Sequence, residues 1–375
     1  IEGEGCVDID ECTDGSDDCD PNATCDNFDG GFECTCPAGT LDPVGDGAHC
    51  IGFVALAAGT NHSCGIAEGG ALYCWGRNGQ GQLGDGTITS RASPVQVGTN
   101  NGWSDIAAGD IHTCGRRDGS LYCWGYNGYG QLGAGPPHSV RNPPLQVGSD
   151  SDWSDITTGP YHSCGRRGGA LYCWGDNEYG QLGDGTTTQR AIPVQIGTDI
   201  DWSDVSVATY HTCGRRAGAL YCWGFNGEGQ LGDGTTNDSS LPVRVGTDSD
   251  WSDIAAGGFH NCGRRGGALY CWGYNAFGQL GDGTTNRRTT YIRVGSDSDW
   301  SDITAGYTHT CGRRGGALYC WGRNERGQLA DGTSNERTVP YRVGTDGDWS
   351  DITAGYAHNC GRRGAVLYCW GQSAP

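Results

Sequence analysis

The sequence lacks methionine and lysine: its 24 basic residues are all arginine, set against 44 acidic ones, and the formal net charge is −20. A chain this acidic is a poor partner for nucleic acid, whose affinity comes from cations that neutralise phosphates. An anionic membrane surface is excluded on the same ground. No apolar run approaches the roughly 20 residues that a membrane-spanning helix requires, so no membrane insertion is expected. Hydrophobic residues are sparse, at 35% of the chain, a composition that suits short strands joined by tight turns. There is no initiator methionine and no signal peptide, so the chain reads as a processed or partial form.

Two residue types are abundant instead. The 69 glycines suit tight turns, where other residues resist the backbone angles required. The 21 cysteines fall into regular patterns, which places the chain in an oxidising, extracellular compartment where disulfides persist.

The first pattern opens with Asp8-Ile9-Asp10-Glu11-Cys12 and continues through Cys19, Cys25, Cys34, Cys36 and Cys50, with Cys25-Asp26-Asn27 and Phe32-Glu33-Cys34 inside it. Residues 8–50 resemble the calcium-binding EGF-like family. That resemblance implies the pairs Cys12–Cys25, Cys19–Cys34 and Cys36–Cys50. It also implies one calcium ion, held by the side chains of Asp8, Glu11 and Asn27 and by carbonyls of Ile9, Phe28 and Gly31. Hard oxygen donors of mixed type are what Ca²⁺ takes, and a module this small needs disulfides and a metal to stabilise it. Cys6 is left unpaired. It either closes an upstream EGF-like repeat, of which residues 1–7 are the tail, or bridges to another subunit.

From Phe53 onward a longer period takes over. His-x-Cys-Gly recurs at His62, His112, His162, His211, His260, His309 and His358, each followed by Leu-Tyr-Cys-Trp-Gly. Gly-Gln-Leu-Gly follows in five units and Gly327-Gln328-Leu329-Ala330 in a sixth. Trp-Ser-Asp opens every unit but the first, where Phe53 stands in place of Trp. Each unit reads as four short strands separated by turns, and a fixed period of this length indicates an all-β propeller. Residues 51–375 resemble the regulator-of-chromosome-condensation family of propellers. The resemblance implies seven blades, with the secreted, bacterial-type members closest in setting; the absence of Lys and Met favours a GC-rich bacterial genome. The nuclear roles of the family's namesake do not suit an acidic chain fused to an extracellular module. The final unit stops at Gly371-Gln372-Ser373-Ala374-Pro375, before a strand like those containing Val95, Leu145, Val194, Val243, Ile292 and Tyr341. Closure then uses 27 strands or borrows one from elsewhere.

Within a unit the two cysteines flank a tight turn, which suits a bridge in each blade: Cys64–Cys74, Cys114–Cys123, Cys164–Cys173, Cys213–Cys222, Cys262–Cys271, Cys311–Cys320 and Cys360–Cys369. Closing loops of this size stabilises each by roughly 2.5 kcal/mol on the chain-entropy account. His-x-Cys beside a second Cys also contains zinc-type ligands, but seven identical zinc sites in an oxidising space are not expected. The histidines are expected to be structural, bonded within their own blades.

No catalytic constellation stands out, because every His recurs in one context and none converges with unlike groups. Enzyme activity and an organic cofactor are therefore not expected. The Arg-Arg turns and the Gly-Thr-Asp-x-Asp loops fall on one face. The Trp-Gly-x-Asn and Asp-Gly-Thr loops fall on the other, and there the repeats differ: Arg77, Tyr126, Tyr129, Tyr179, Phe225, Tyr274, Phe277, Arg323 and Arg326 occupy variable positions. Aromatic and Arg side chains are the composition of interaction hot spots, although the rings can equally pack on neighbouring blades. The expectation is an extracellular structural or adhesive scaffold that binds a protein or itself, including a head-to-tail filament. The alternative is a secreted inhibitor or receptor gripping one foreign protein by the aromatic face.

Overall fold

A computed structural model describes residues 12, 19, 23–28, 31–36, 52–136, 140–364 and 366–372. The N-terminal part contributes one antiparallel hairpin, β1 (Thr24–Phe28) and β2 (Gly31–Thr35). Disulfides join Cys12 to Cys25 and Cys19 to Cys34. Cys36 is also disulfide-bonded, while Cys50 and Cys6 lie outside the described residues.

The remaining 27 strands form seven antiparallel sheets around an axis. Blade 1 is β3 (Phe53–Ala58), β4 (His62–Ala67), β5 (Leu72–Gly76) and β6 (Arg91–Gln96), paired in that order from the axis outward. Blades 2 to 6 repeat this meander from Trp103, Trp153, Trp202, Trp251 and Trp300. Blade 7 has three strands, β27 (Trp349–Ala354), β28 (His358–Arg363) and β29 (Val366–Gly371), and β27 packs against β3 to close the circle.

The core lies between blades rather than within them. Cys64, Leu72, Cys74, Leu83 and Val97 of blade 1 bury against Trp103, Ile106 and Trp124 of blade 2, and the pattern recurs around the ring. The tryptophans of a blade pack edge to face, as with Trp103 and Trp124 at 5.8 Å, an arrangement that aromatic quadrupoles favour. Second and third strands face each other through the cysteines, so each of the seven blades carries a bridge, from Cys64–Cys74 to Cys360–Cys369.

The histidines differ from the sequence expectation: their bonds run between blades. His62 Nε2 meets Thr113 Oγ1 at 2.8 Å, His112 meets Ser163 at 2.9 Å, and His211 meets Asn261 Oδ1 at 2.9 Å. The same contact continues through His162, His260 and His309 to His358, which returns to Ser63. The partner side chain fixes the tautomer. Asn261 Oδ1 can only accept, and the Thr113 hydroxyl spends its proton on the Gln82 carbonyl at 2.7 Å, so Nε2 carries the hydrogen. The buried Nδ1 atoms of His62, His112 and His162 have no partner. A proton there would be a bare charge in a dry interface, and burial accordingly pushes these imidazoles down to about 3.

Candidate functional site: the aromatic face and axial funnel

The turn that leads into each His strand and the long loop after each Trp-Gly meet at one end of the axis. A buried asparagine organises each long loop. Asn78 Nδ2 donates to Asp85 Oδ1 and to the Thr87 carbonyl, and its Oδ1 accepts from the Leu83 amide. Asn177, Asn226, Asn275 and Asn324 repeat the motif. In the sixth loop, burial alone would raise the Asp331 carboxyl, but hydrogen bonds from Thr333, Arg337 and Asn324 outweigh it and hold the acid below its ordinary range. With the loop pinned from inside, the residues beside each asparagine project outward.

Those side chains form a continuous aromatic surface. Tyr126 lies 6.3 Å from Tyr129, which contacts Tyr161 of the next blade at 5.3 Å, and Tyr161 stacks on Tyr210 at 5.7 Å. Tyr179 touches both Tyr210 and Phe225, at 5.3 and 5.2 Å. Phe225 leads to Phe259, then to Tyr274 and Phe277 on one side and to Tyr307 on the other. Tyr307 and Tyr356 end the run, stacked at 4.4 Å. Arg323 lies over Phe277 at 4.7 Å and is ion-paired to Glu325, which Arg326 also approaches; Arg77 is exposed near Asp110. The rings thus pack on neighbouring blades and keep an open side at the same time: Tyr129 is 38% and Tyr356 41% exposed.

Tyr161, Tyr210, Phe259, Tyr307 and Tyr356 were not among the sequence candidates. They sit one or two positions before the repeated His, where the units also diverge (Asn61, Ile111, Tyr161, Tyr210, Phe259), and that variation is the signal that would have found them.

At the centre the surface dips into a funnel of about 220 Å³, floored by the Ala-Gly ends of the inner strands and walled by Thr60, Asp110, Tyr161, Tyr210, Tyr307 and Tyr356. Burial pushes the Asp110 carboxyl up, against the pull of the Thr60 hydroxyl and the Arg77 charge. Burial, with Tyr210 and Asp110 beside it, raises the Tyr161 phenol to about 12.

On the opposite face arginines, rings and aspartates engage one another. Arg167 lies over Tyr172 at 4.9 Å and over Trp153 at 5.7 Å while ion-paired to Asp150 and Asp152. Arg216, Arg265, Arg314 and Arg363 do the same. Nearer the axis Arg166 pairs with Asp155 at 2.9 Å and reaches the Trp202 carbonyl of the next blade. Among the described residues no three His, Cys, Asp or Glu side chains are placed to hold a metal ion.

In the EGF-like part, Asp8, Ile9 and Glu11 lie outside the described residues, and of Asn27, Phe28 and Gly31 only the backbone is described. The hairpin sets Phe28 opposite Gly31 and Asn27 opposite Phe32.

Comparison with known families matches the regulator of chromosome condensation (RCC1) repeat to residues 69–115, 118–165, 168–214, 217–263, 266–312 and 315–361. The chain belongs to the RCC1 repeat family. Residues 8–50 match the calcium-binding EGF domain. Among curated proteins, an X-linked retinitis pigmentosa GTPase regulator homolog of Caenorhabditis elegans is 41% identical over 68 residues, 18% of this chain and 5% of that protein. The chain therefore spans a small fraction of that relative. Human WBSCR16 superposes with a TM-score of 0.75 at 20% identity, over 85% of this chain and 87% of that one. Prp20p of Saccharomyces cerevisiae gives 0.72 at 19%, over 86% and 83%. The CRINKLY ectodomain of the Arabidopsis thaliana receptor kinase ACR4 gives 0.51 at 19%, over 87% and 97%. At these identities the structural likeness is one of fold.

Proposed function

We propose that this chain is an extracellular protein-interaction scaffold that grips its partner through the aromatic face of the propeller. The observation that carries the reading is the asymmetry between the two ends of the axis. At one end arginines cover the rings and pair with aspartates in five blades, whereas the other end leaves an aromatic surface open around a funnel. Exposed contiguous aromatic surface of this kind marks interaction sites. Prp20p is described by its binding to Gsp1p and histones, and the ACR4 propeller is a receptor ectodomain, which is consistent with a binding role for the fold. The bridges in all seven blades favour an oxidising location.

Panning a random peptide library on the full chain tests this reading. Enriched peptides should lose binding to a Tyr129→Ser/Tyr179→Ser/Phe277→Ser variant and keep it for an Asp152→Ala/Asp201→Ala variant of the opposite face. The reverse pattern, or no enrichment, contradicts it.

Calcium belongs to the same proposal. The donor set assigned by resemblance (carboxylates of Asp8 and Glu11, the Asn27 amide, carbonyls of Ile9, Phe28 and Gly31) is all hard oxygen, as Ca²⁺ requires. Titration calorimetry should show one site that Asn27→Ala removes; no binding by the unaltered chain would mean the module is metal-free, and an isotherm unchanged by Asn27→Ala would mean Asn27 is not a ligand.

A second reading, head-to-tail assembly, is favoured by β29. No fourth strand lies beside it among the described residues, and Tyr368 is 39% exposed. An unpaired edge is a template for another chain. Sedimentation at rising concentration separates a monomer from a polymer.

A further inference from the structure

The funnel has a chemical character of its own. Among the described residues that line it, Asp110 is the one charged side chain, and four tyrosines share the space. Tyr161 is Asp110's electrostatic neighbour, one blade on. Tyr161 stacks on Tyr210, and Tyr307 on Tyr356 across the opening. A carboxylate half-withdrawn from water beside aromatic rings attracts a cation that sheds water readily.

The other end of the same molecule shows which cation satisfies this combination. There an arginine lies over Tyr and Trp rings and ion-pairs with aspartates in five consecutive blades, as Arg167 does with Tyr172, Trp153 and Asp150. The funnel presents the rings and the carboxylate without the arginine. Arg77 influences Asp110 electrostatically but is not part of the lining.

We propose that the funnel receives an arginine side chain presented on a loop of the partner protein, its guanidinium pairing with Asp110 and stacking on the tyrosines. The planar, weakly hydrated guanidinium can do both at once, whereas an ammonium offers only a point charge. The funnel's 220 Å³ admits a side chain rather than a folded domain, so the surrounding rim would contact the partner's surface while the arginine enters the axis. This inference rests on the aromatic face being the binding surface and adds to it the identity of the inserted group.

The test uses the full chain immobilised on a column, with acetyl-Gly-Gly-Arg-Gly-Gly-amide as probe and its citrulline counterpart, equal in shape and uncharged, as control. The arginine peptide should be retained at least fivefold more than the citrulline peptide. Asp110→Asn, nearly isosteric, should reduce that ratio below twofold, and Tyr307→Leu should lower it as well. Lysine in place of arginine should fall between. Equal retention of the arginine and citrulline peptides, or retention of neither, overturns the proposal without any variant having to fold. Peptides selected on the whole face supply the distinction from the broader reading. If their binding depends on Tyr129, Tyr179 and Phe277 but not on arginine or Asp110, the face binds partners and the arginine assignment is wrong.

Discussion

The imidazole of His358 lies 3.2 Å from the hydroxyl of Ser63, 295 residues away, and this contact closes the ring. It is also the longest of its kind, the other six measuring 2.8–2.9 Å. At the other joints the residue after the histidine is anchored by the carbonyl of a glutamine in the preceding blade, as Thr310 is by Gln279 at 2.8 Å. That carbonyl also accepts from the Trp321 indole at 2.9 Å. At the seam no such glutamine stands beside Ser63 or Trp75 among the described residues. A cavity of about 230 Å³ lies there, lined by His62, Ser63, Trp75, His358, Trp370 and Gln372.

Hydrogen exchange should therefore begin at the seam. Amides of β3, β4 and β29 are expected to exchange well before those of blades 3 to 5, because fewer buried bonds must break to expose them. Uniform protection around the ring, read by mass spectrometry of proteolytic peptides, would mean the seam is as tight as the other joints.

Acid should destabilise the propeller through its histidines. Their folded values are lowered by burial to about 3 or 4, from an ordinary 6.5. Above pH 6.5 the imidazoles are neutral in both states and cost nothing. As pH falls below 6.5 the unfolded chain takes up protons that the fold refuses, at roughly 1.4 kcal/mol per pH unit for each histidine. The thermal midpoint is expected to drop steeply between pH 6.5 and 4, with a shallower slope in His260→Asn. A flat midpoint over that range would mean that the histidines titrate normally.

Asp105 and Asp204 work in the opposite direction. Burial first, then the neighbouring Asp155 and Asp253 respectively, raises these carboxyls to about 6, and Arg116 and Arg215 only partly offset it from 3.9 and 3.8 Å. A raised carboxyl favours the fold when protonated, so this contribution is present at low pH and is lost as pH rises from the ordinary 3.8 through about 6. Asp105→Asn should stabilise the chain by about 1–2 kcal/mol at pH 7.5, allowing for partial exposure, and by little at pH 4. Destabilisation at pH 7.5 would show that the Arg116 pair outweighs desolvation.

The repeat's one departure from Gly-Gln-Leu-Gly has a local cause. In five blades the last glycine has a positive φ and sits under the next blade's indole; a Cβ on Gly281 would lie 2.7 Å from Trp321 Nε1. In the sixth, Ala330 occupies the same left-handed conformation and packs against the same core cluster as Trp370, which is half-buried where the equivalent indoles of blades 2 to 6 are fully buried. Gly281→Ala should cost about 2–4 kcal/mol, as overpacking and backbone strain do. Ala330→Gly should change the unfolding midpoint far less, and equal effects would remove this explanation.

The period of the repeats was enough to read blade number and strand order, because each unit carries its own turn glycines and short apolar strands, while it left open whether the last blade has three strands or borrows a fourth. What stayed hidden were relationships between units. A repeated His looks the same whether it bonds inward or across a joint, and only the paired identity of the next unit's Thr, Ser or Asn betrays the direction. The aromatic candidates after Trp-Gly were visible because their loop is long and variable. Tyr161 and Tyr307 were not, because they precede a strand whose other positions are strict and easily read as packing.

The central claim, that the aromatic end of the axis is the binding surface, is tested most directly by site-specific photocrosslinking of the full chain in its native setting. A photoreactive residue at Tyr129 should yield a defined protein adduct by mass spectrometry, suppressed by excess unmodified chain, while the same residue at Asp152 on the opposite face yields none. A competable adduct from Asp152 and none from Tyr129 would contradict the account.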